Sequence, residues 1–188
     1  MRARVVTNAA LRPFPRMTPL KYLSGYSPEL QAQVQRLIDA DRLHAHIAER
    51  YPDAHEVRSD RALYEYVLEI KSECLRNSEP VAKVLYDNKL HVVKHALGTH
   101  TTVSRVQGQK LRTKREIRVA SLFKQAPAPF LRMIVVHELA HLRHHEHDKK
   151  FYSLCESMEP AYHQFEFDAR LWLTARDLAP PPPPDADA

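Results

Sequence analysis

The most apolar stretch of the chain runs from Phe130-Leu131-Arg132-Met133-Ile134-Val135-Val136 into His137-Glu138-Leu139-Ala140-His141-Leu142, and it carries three ionisable side chains within five residues. Leu131, Val135, Leu139 and Leu142 recur at i, i+4, i+8 and i+11, the period of a helix with one stripe in a core. Pro127 and Pro129 suit the start of that helix, where a missing N–H costs nothing. A helix this apolar has to be covered by other elements, so the fold is organised around it. Burying two imidazoles and a carboxylate without partners is expensive, and a divalent cation satisfies all three together.

The spacing fits such an ion. Histidines at i and i+4 stand one above the other, about 6 Å apart, close enough to share one Zn²⁺ at about 2.0–2.1 Å. Glu138 lies about 100° around the helix from His137, beside the ion, where it acts as a general base and not as a ligand. His147 is the expected third ligand. On a straight helix it would lie about 15 Å along the axis from His137, so the helix must end near His144 or His145 and the chain must fold back. In zinc proteases with the pattern HExxHxxGxxH a glycine makes that turn, and here His144 stands in its place. His144 and His145 themselves, about 10 Å or more up the axis, read as outer groups. Glu156, Glu159 and Glu166 are alternative third ligands on later helices. Three protein ligands leave a fourth position for water, the arrangement of one catalytic zinc per chain.

These residues carry a family resemblance. The stretch VVHELAHLRHHEHDKKFYSLC resembles the signature of the YgjP-like metallopeptidase-domain proteins, relatives of the SprT-like and WLM groups within the zincin class. That signature is HExxHxxxxxH followed by a small acidic or polar residue, here Asp148, and then an aromatic, here Phe151-Tyr152. Upstream, ALGTHTTVSRVQGQKLRTKREIRVASLF resembles the family's strand region, and downstream EPAYHQFEFDARLWL resembles its closing helix, so the likeness runs from about residue 20 to 175. It implies a zincin-like fold and a metal-dependent hydrolase. To some members a nucleoside-triphosphate pyrophosphatase activity has been attributed.

The rest of the chain predicts an α+β fold. Leu30, Val34, Leu37 and Ile38 mark an amphipathic helix within residues 28–50, and Leu63, Val67, Ile70 and Cys74 a second over 60–76. Val84 and Tyr86, then Asp87-Asn88, then Leu90 to Val93 read as a hairpin. Residues 100–106 and 115–123 read as two further strands joined through Gln107-Gly108-Gln109, with Ile117, Val119 and Ser121 on one face. The expected result is a small antiparallel or mixed sheet packed on N-terminal helices, with the metal helix and C-terminal helices completing a zincin-like domain over residues 20–178. Residues 1–19, with Pro13, Pro15 and Pro19, read as an arm, and residues 179–188, with five successive prolines from Pro180, as a stiff unfolded tail.

Length and composition agree with one core: 188 residues, 44% hydrophobic and 27% charged. No run approaches the ~18 apolar residues of a membrane span, and the N-terminus lacks the apolar segment of a secretory signal. Cys74 and Cys155 lack CxxC spacing and read as reduced thiols, so a cytoplasmic location and no membrane partner are expected.

Charge is uneven. Arg105, Lys110, Arg112, Lys114, Arg115 and Arg118 fall within fourteen residues, relieved only by Glu116. Such a strand can hold the phosphates of a nucleotide, or can simply be a solvated edge. The lack of a Gly-rich phosphate loop and of interleaved aromatics argues against nucleic acid. Met158 reads as core filler, Tyr162 and His163 as candidate oxyanion donors, and Glu166 and Asp168 as carboxylates able to orient a zinc histidine. The leading expectation is a zinc metallopeptidase acting on a peptide or protein, with Glu138 as base. The alternatives are a nucleoside-triphosphate pyrophosphatase using the same site with the basic strand on the phosphates, and a non-enzymatic zinc-stabilised binding module.

Overall fold

The computed structural model describes residues 20–90, 98–107 and 110–179, and the side chains of 98–107 and 110–114 lie outside that description. Serines open two of the N-terminal helices. Ser27 accepts from the Leu30 N–H ahead of α1 (Pro28–Asp39), with Pro28 in the first turn, and Ser59 accepts from the Ala62 N–H ahead of α3 (Asp60–Cys74). Between them lies α2 (Leu43–Arg50). The single helix expected within 28–50 is therefore two. Asp41 adopts φ 54°, and the N–H groups of Asp41 and Arg42 turn back onto the carbonyls of Ile38 and Leu37. An aspartate tolerates that left-handed conformation better than most side chains, and it ends the helix that apolar periodicity would have carried on.

The sheet has three strands, β1 (Val81–Asp87), β2 (Gly98–Gln107) and β3 (Lys110–Ala120), in the order β1-β3-β2. β2 pairs antiparallel with β3, from Gly98 opposite Val119 to Gln107 opposite Lys110. β1 pairs with β3 in parallel, Val84 facing Ile117 and Tyr86 facing Val119. The sheet is thus mixed. β1 finds its partner across the sheet in β3, and residues 91–93 of the expected hairpin lie outside the described residues. β3 ends at Ala120, where a 3-10 turn (Ser121–Gln125) takes over the last residues assigned to a strand from sequence. Ile117 and Val119 are fully buried, as their alternation demands, while Ser121 is half-buried within the turn.

Three helices complete the chain: α4 (Ala128–Ala140), α5 (Lys149–Met158) and α6 (Tyr162–Leu178). α4 is buried nearly all round, from Phe130 through Ala140, with half-buried Arg132 reaching Glu159 at 2.7 Å. One core unites α3, β1, β3, α4, α5 and the near part of α6, and it includes Met158. A second, smaller cluster joins Leu23, Val34, Leu43 and Ile47 to Leu171 and Ala175 of α6. His55 locks the entry to α4. Its backbone N–H donates to the Ala126 carbonyl, its Nε2–H to the Phe123 carbonyl at 2.6 Å, and its Nδ1 accepts from the Val57 N–H at 3.0 Å. Among the described residues, no helix is long and apolar enough to cross a membrane.

Candidate metal centre

α4 delivers His137 and His141 to one point, and a bend returns His147 to it. The helix ends at Ala140 with His141 as its C-cap, and one further turn follows, in which the N–H groups of Arg143 and His144 donate to the Ala140 carbonyl. The chain then reverses into α5, whose N-cap Asp148 accepts from the Phe151 N–H at 2.9 Å. Asp41 is the only non-glycine with positive φ among the described residues, so the bend needs no left-handed backbone and hence no glycine. The expectation that a residue with a side chain makes this turn is met by ordinary geometry.

The three Nε2 atoms converge. That of His137 lies 3.3 Å from that of His141 and 3.1 Å from that of His147, and the ligand atoms of all three fall within 4.8 Å of one another. Phe151 closes the back of the cluster, its ring centroid 4.7–5.0 Å from each imidazole. Each Nδ1 of the α4 pair is engaged on the far side of its ring. His141 donates from Nδ1 to the His144 carbonyl at 3.0 Å, and His137 Nδ1 meets the Tyr162 hydroxyl at 2.7 Å. A carbonyl can only accept, so in neutral His141 the Nε2 carries the lone pair.

This donor set fits a tetrahedral divalent cation. Ligand nitrogens at about 2.0–2.1 Å from such an ion stand about 3.3–3.4 Å apart, close to the two separations that His137 makes, whereas two imidazole lone pairs so close with nothing between them repel. Burial pushes the imidazoles of His137 and His141 toward their neutral, ligating forms: that of His137 well below the ordinary value, with further lowering from the neighbouring histidines and Arg170. Glu138 is fully buried and neither carboxylate oxygen has a hydrogen-bond partner. Burial pushes its pKa up to about 8, so an adjacent cation is what would favour its ionised form at neutral pH.

The other candidates lie elsewhere. Glu159 binds Arg132 and Glu166 binds Arg170 at 2.6 Å, so these two carboxylates considered as a third ligand are committed to guanidinium groups, and Glu156 lies against His163. Glu166 and Asp168 do not orient a histidine of the cluster. Asp168 accepts from the Tyr51 hydroxyl at 2.6 Å and from Gln164 at 3.0 Å. That position beside His137 belongs to Tyr162, read from sequence as a candidate oxyanion donor, and sequence offers no register between α4 and α6 that would have shown it. His145 is exposed, and His144 contributes its backbone carbonyl. In the basic run, Arg115 is paired with Glu79 and Arg118 with Asp87 and Glu116. The side chains of Arg105, Lys110, Arg112 and Lys114 lie outside the described residues. Cavities of about 350 and 400 Å³ border α2 and the C-terminal end of α6, lined by residues such as His44, Trp172 and Leu178 and by none of the three histidines.

Residues 81–171, from β1 to α6, match the family described as "YgjP-like, metallopeptidase domain". The chain is also 58% identical over 162 residues to the "UTP pyrophosphatase" of Escherichia coli (strain K12), covering 86% of this chain and 97% of that protein. No solved structure matches significantly.

Proposed function

The chain belongs to the YgjP-like metallopeptidase-domain family, and from that premise we propose that it is a zinc-dependent hydrolase that cleaves nucleoside triphosphates and releases pyrophosphate. The observation that carries the reaction type is the convergence of three imidazole Nε2 atoms next to a helix turn holding a buried, unpartnered glutamate. The likeness to a UTP pyrophosphatase over nearly the whole of that protein supports phosphoanhydride cleavage over peptide cleavage, which reverses the order that the histidine spacing alone suggests.

His137, His141 and His147 would hold the ion. Bound there, a divalent cation would supply Lewis-acid polarisation of water and of a phosphoryl oxygen. Glu138 takes one proton from the attacking water. As the water oxygen bonds to the α-phosphorus, the bridging α–β P–O bond breaks and its electron pair leaves with pyrophosphate. Glu138 then returns the proton to a phosphate oxygen, which restores the carboxylate. Phe151 keeps water from the back of the cluster. Lys110, Arg112 and Lys114 on β3 would bind the triphosphate.

Peptide hydrolysis is the second reading, favoured by the HExxH spacing and the family's description. One experiment separates the two. Zinc-loaded protein is given UTP, the other nucleoside triphosphates and a peptide library, and pyrophosphate and new peptide amino termini are both measured. Pyrophosphate release that disappears in Glu138→Gln is the expected result. New amino termini that disappear in the same variant, with no pyrophosphate from any nucleotide, would overturn it.

A further inference from the structure

The hydroxyl of Tyr162, at the first turn of α6, is fully buried and lies 2.7 Å from Nδ1 of His137. The thiol of Cys155, itself fully buried on α5, interacts with it. Direction decides what this contact does. Were Tyr162 to donate to Nδ1, neutral His137 would carry its proton on Nε2, and that proton would point into the cluster where a lone pair is needed. If Nδ1–H donates to the phenol oxygen, Nε2 is free to ligate, but the phenol proton then needs an acceptor of its own. The thiol of Cys155, buried beside Tyr162 and interacting with its hydroxyl, is the group we assign to that role.

We propose that Tyr162 and Cys155 are positioning residues that hold His137 in its metal-binding tautomer through the chain His137 Nδ1–H to Tyr162 Oη–H to Cys155 Sγ. The chain explains why a tyrosine and a cysteine are buried side by side behind the one histidine of the α4 pair that lacks a backbone carbonyl at Nδ1. His141 has the carbonyl of His144 for the same purpose. The two α4 imidazoles are thus fixed by different means, one by backbone and one by side chains from two other helices. The inference rests on the three histidines being a metal centre, and it is independent of which bond the enzyme cleaves.

The test uses the full-length protein and zinc itself. Zinc affinity is measured by chelator competition for wild type, Tyr162→Phe, Cys155→Ala and Cys155→Ser, and long-range ¹H–¹⁵N spectra of the zinc-loaded proteins report which ring nitrogen is protonated in each histidine. The expected results are a protonated Nδ1 in both His137 and His141 and zinc binding weakened about 10–100-fold by Tyr162→Phe. Cys155→Ala should show a smaller loss, recovered in Cys155→Ser, whose hydroxyl also accepts. The His137 Nδ1 proton should shift or exchange rapidly in Tyr162→Phe while that of His141 stays as in wild type. Wild-type zinc affinity in Tyr162→Phe would overturn the inference. Equal disturbance of both histidines would overturn it too, since that is the mark of a general packing defect, and so would a wild-type protein that binds no zinc. Pyrophosphate release by wild type, followed alongside, reports separately on the proposed reaction.

Discussion

At the scale of single residues the decisive group is Glu138, because a buried carboxyl with two unpartnered oxygens has no structural role to fall back on. Glu138→Gln keeps its size but cannot accept a proton, so hydrolysis should fall by about 10²–10⁴ while zinc content, measured by metal analysis, is unchanged. His147→Ala should lose zinc as severely as His141→Ala, since the Nε2 atoms of both stand within 3.1–3.3 Å of that of His137. His144→Ala should bind zinc nearly as wild type, because what His144 gives to His141 is its backbone carbonyl, which alanine retains. Undiminished zinc in His147→Ala would place the third ligand elsewhere. The positions were legible in the sequence: the i, i+4 pair and the carboxylate beside it follow from helical period, and His147 was expected to join them on condition that the helix ends and the chain folds back. Tyr162 was legible only as a candidate oxyanion donor, since its place beside His137 depends on how α6 packs against α4, and spacing within one helix carries no information about the register of another.

Elements place those residues, and His55 is the clearest instance. Its side chain joins the turn before α4 to the loop before α3 through one donated and one accepted bond, a pattern available only to the neutral ring. Burial lowers its pKa below the ordinary 6.5. The unfolded chain therefore binds the proton more readily than the fold does, so the stabilisation is complete above about pH 6.5 and is lost as the pH falls through the lowered folded value. Denaturant unfolding followed at pH 7.5 and at 5.5, at fixed zinc, should show less stability at the lower pH, and His55→Gln should narrow that difference. A gap as wide in the variant would assign the acid sensitivity to other groups. The helices themselves were readable from serine caps, prolines and apolar period. Where the reading failed, a local signal lost to a conformational detail: the Asp41 turn splits one periodic stretch into α1 and α2.

For the whole molecule the proposed reaction requires a surface that receives the triphosphate. Reversing Lys110, Arg112 and Lys114 to glutamate should abolish the thermal stabilisation given by nucleotides and leave zinc bound. Three charge-assisted bonds of about 1.5–3 kcal/mol each, even without strict additivity, amount to more than a hundredfold in affinity. Nucleotide protection that survives the reversal would move the phosphates to another face. Arg115 and Arg118 are poor substitutes, since Glu79, Asp87 and Glu116 already neutralise them. The α+β class and the place of the sheet ahead of the metal helix could be read from the order of periods along the chain, but strand order could not, because alternation marks a strand and is silent about its neighbour. That order has a consequence in time. Among the described strands the central one, β3, is the last to be synthesised, so β1 pairs with it only after the whole of β2 has followed. β2 and β3, adjacent in sequence, are expected to pair first, and β1, which closes a far longer loop to reach β3, to dock later, which lengthens the time its edge is open to other chains.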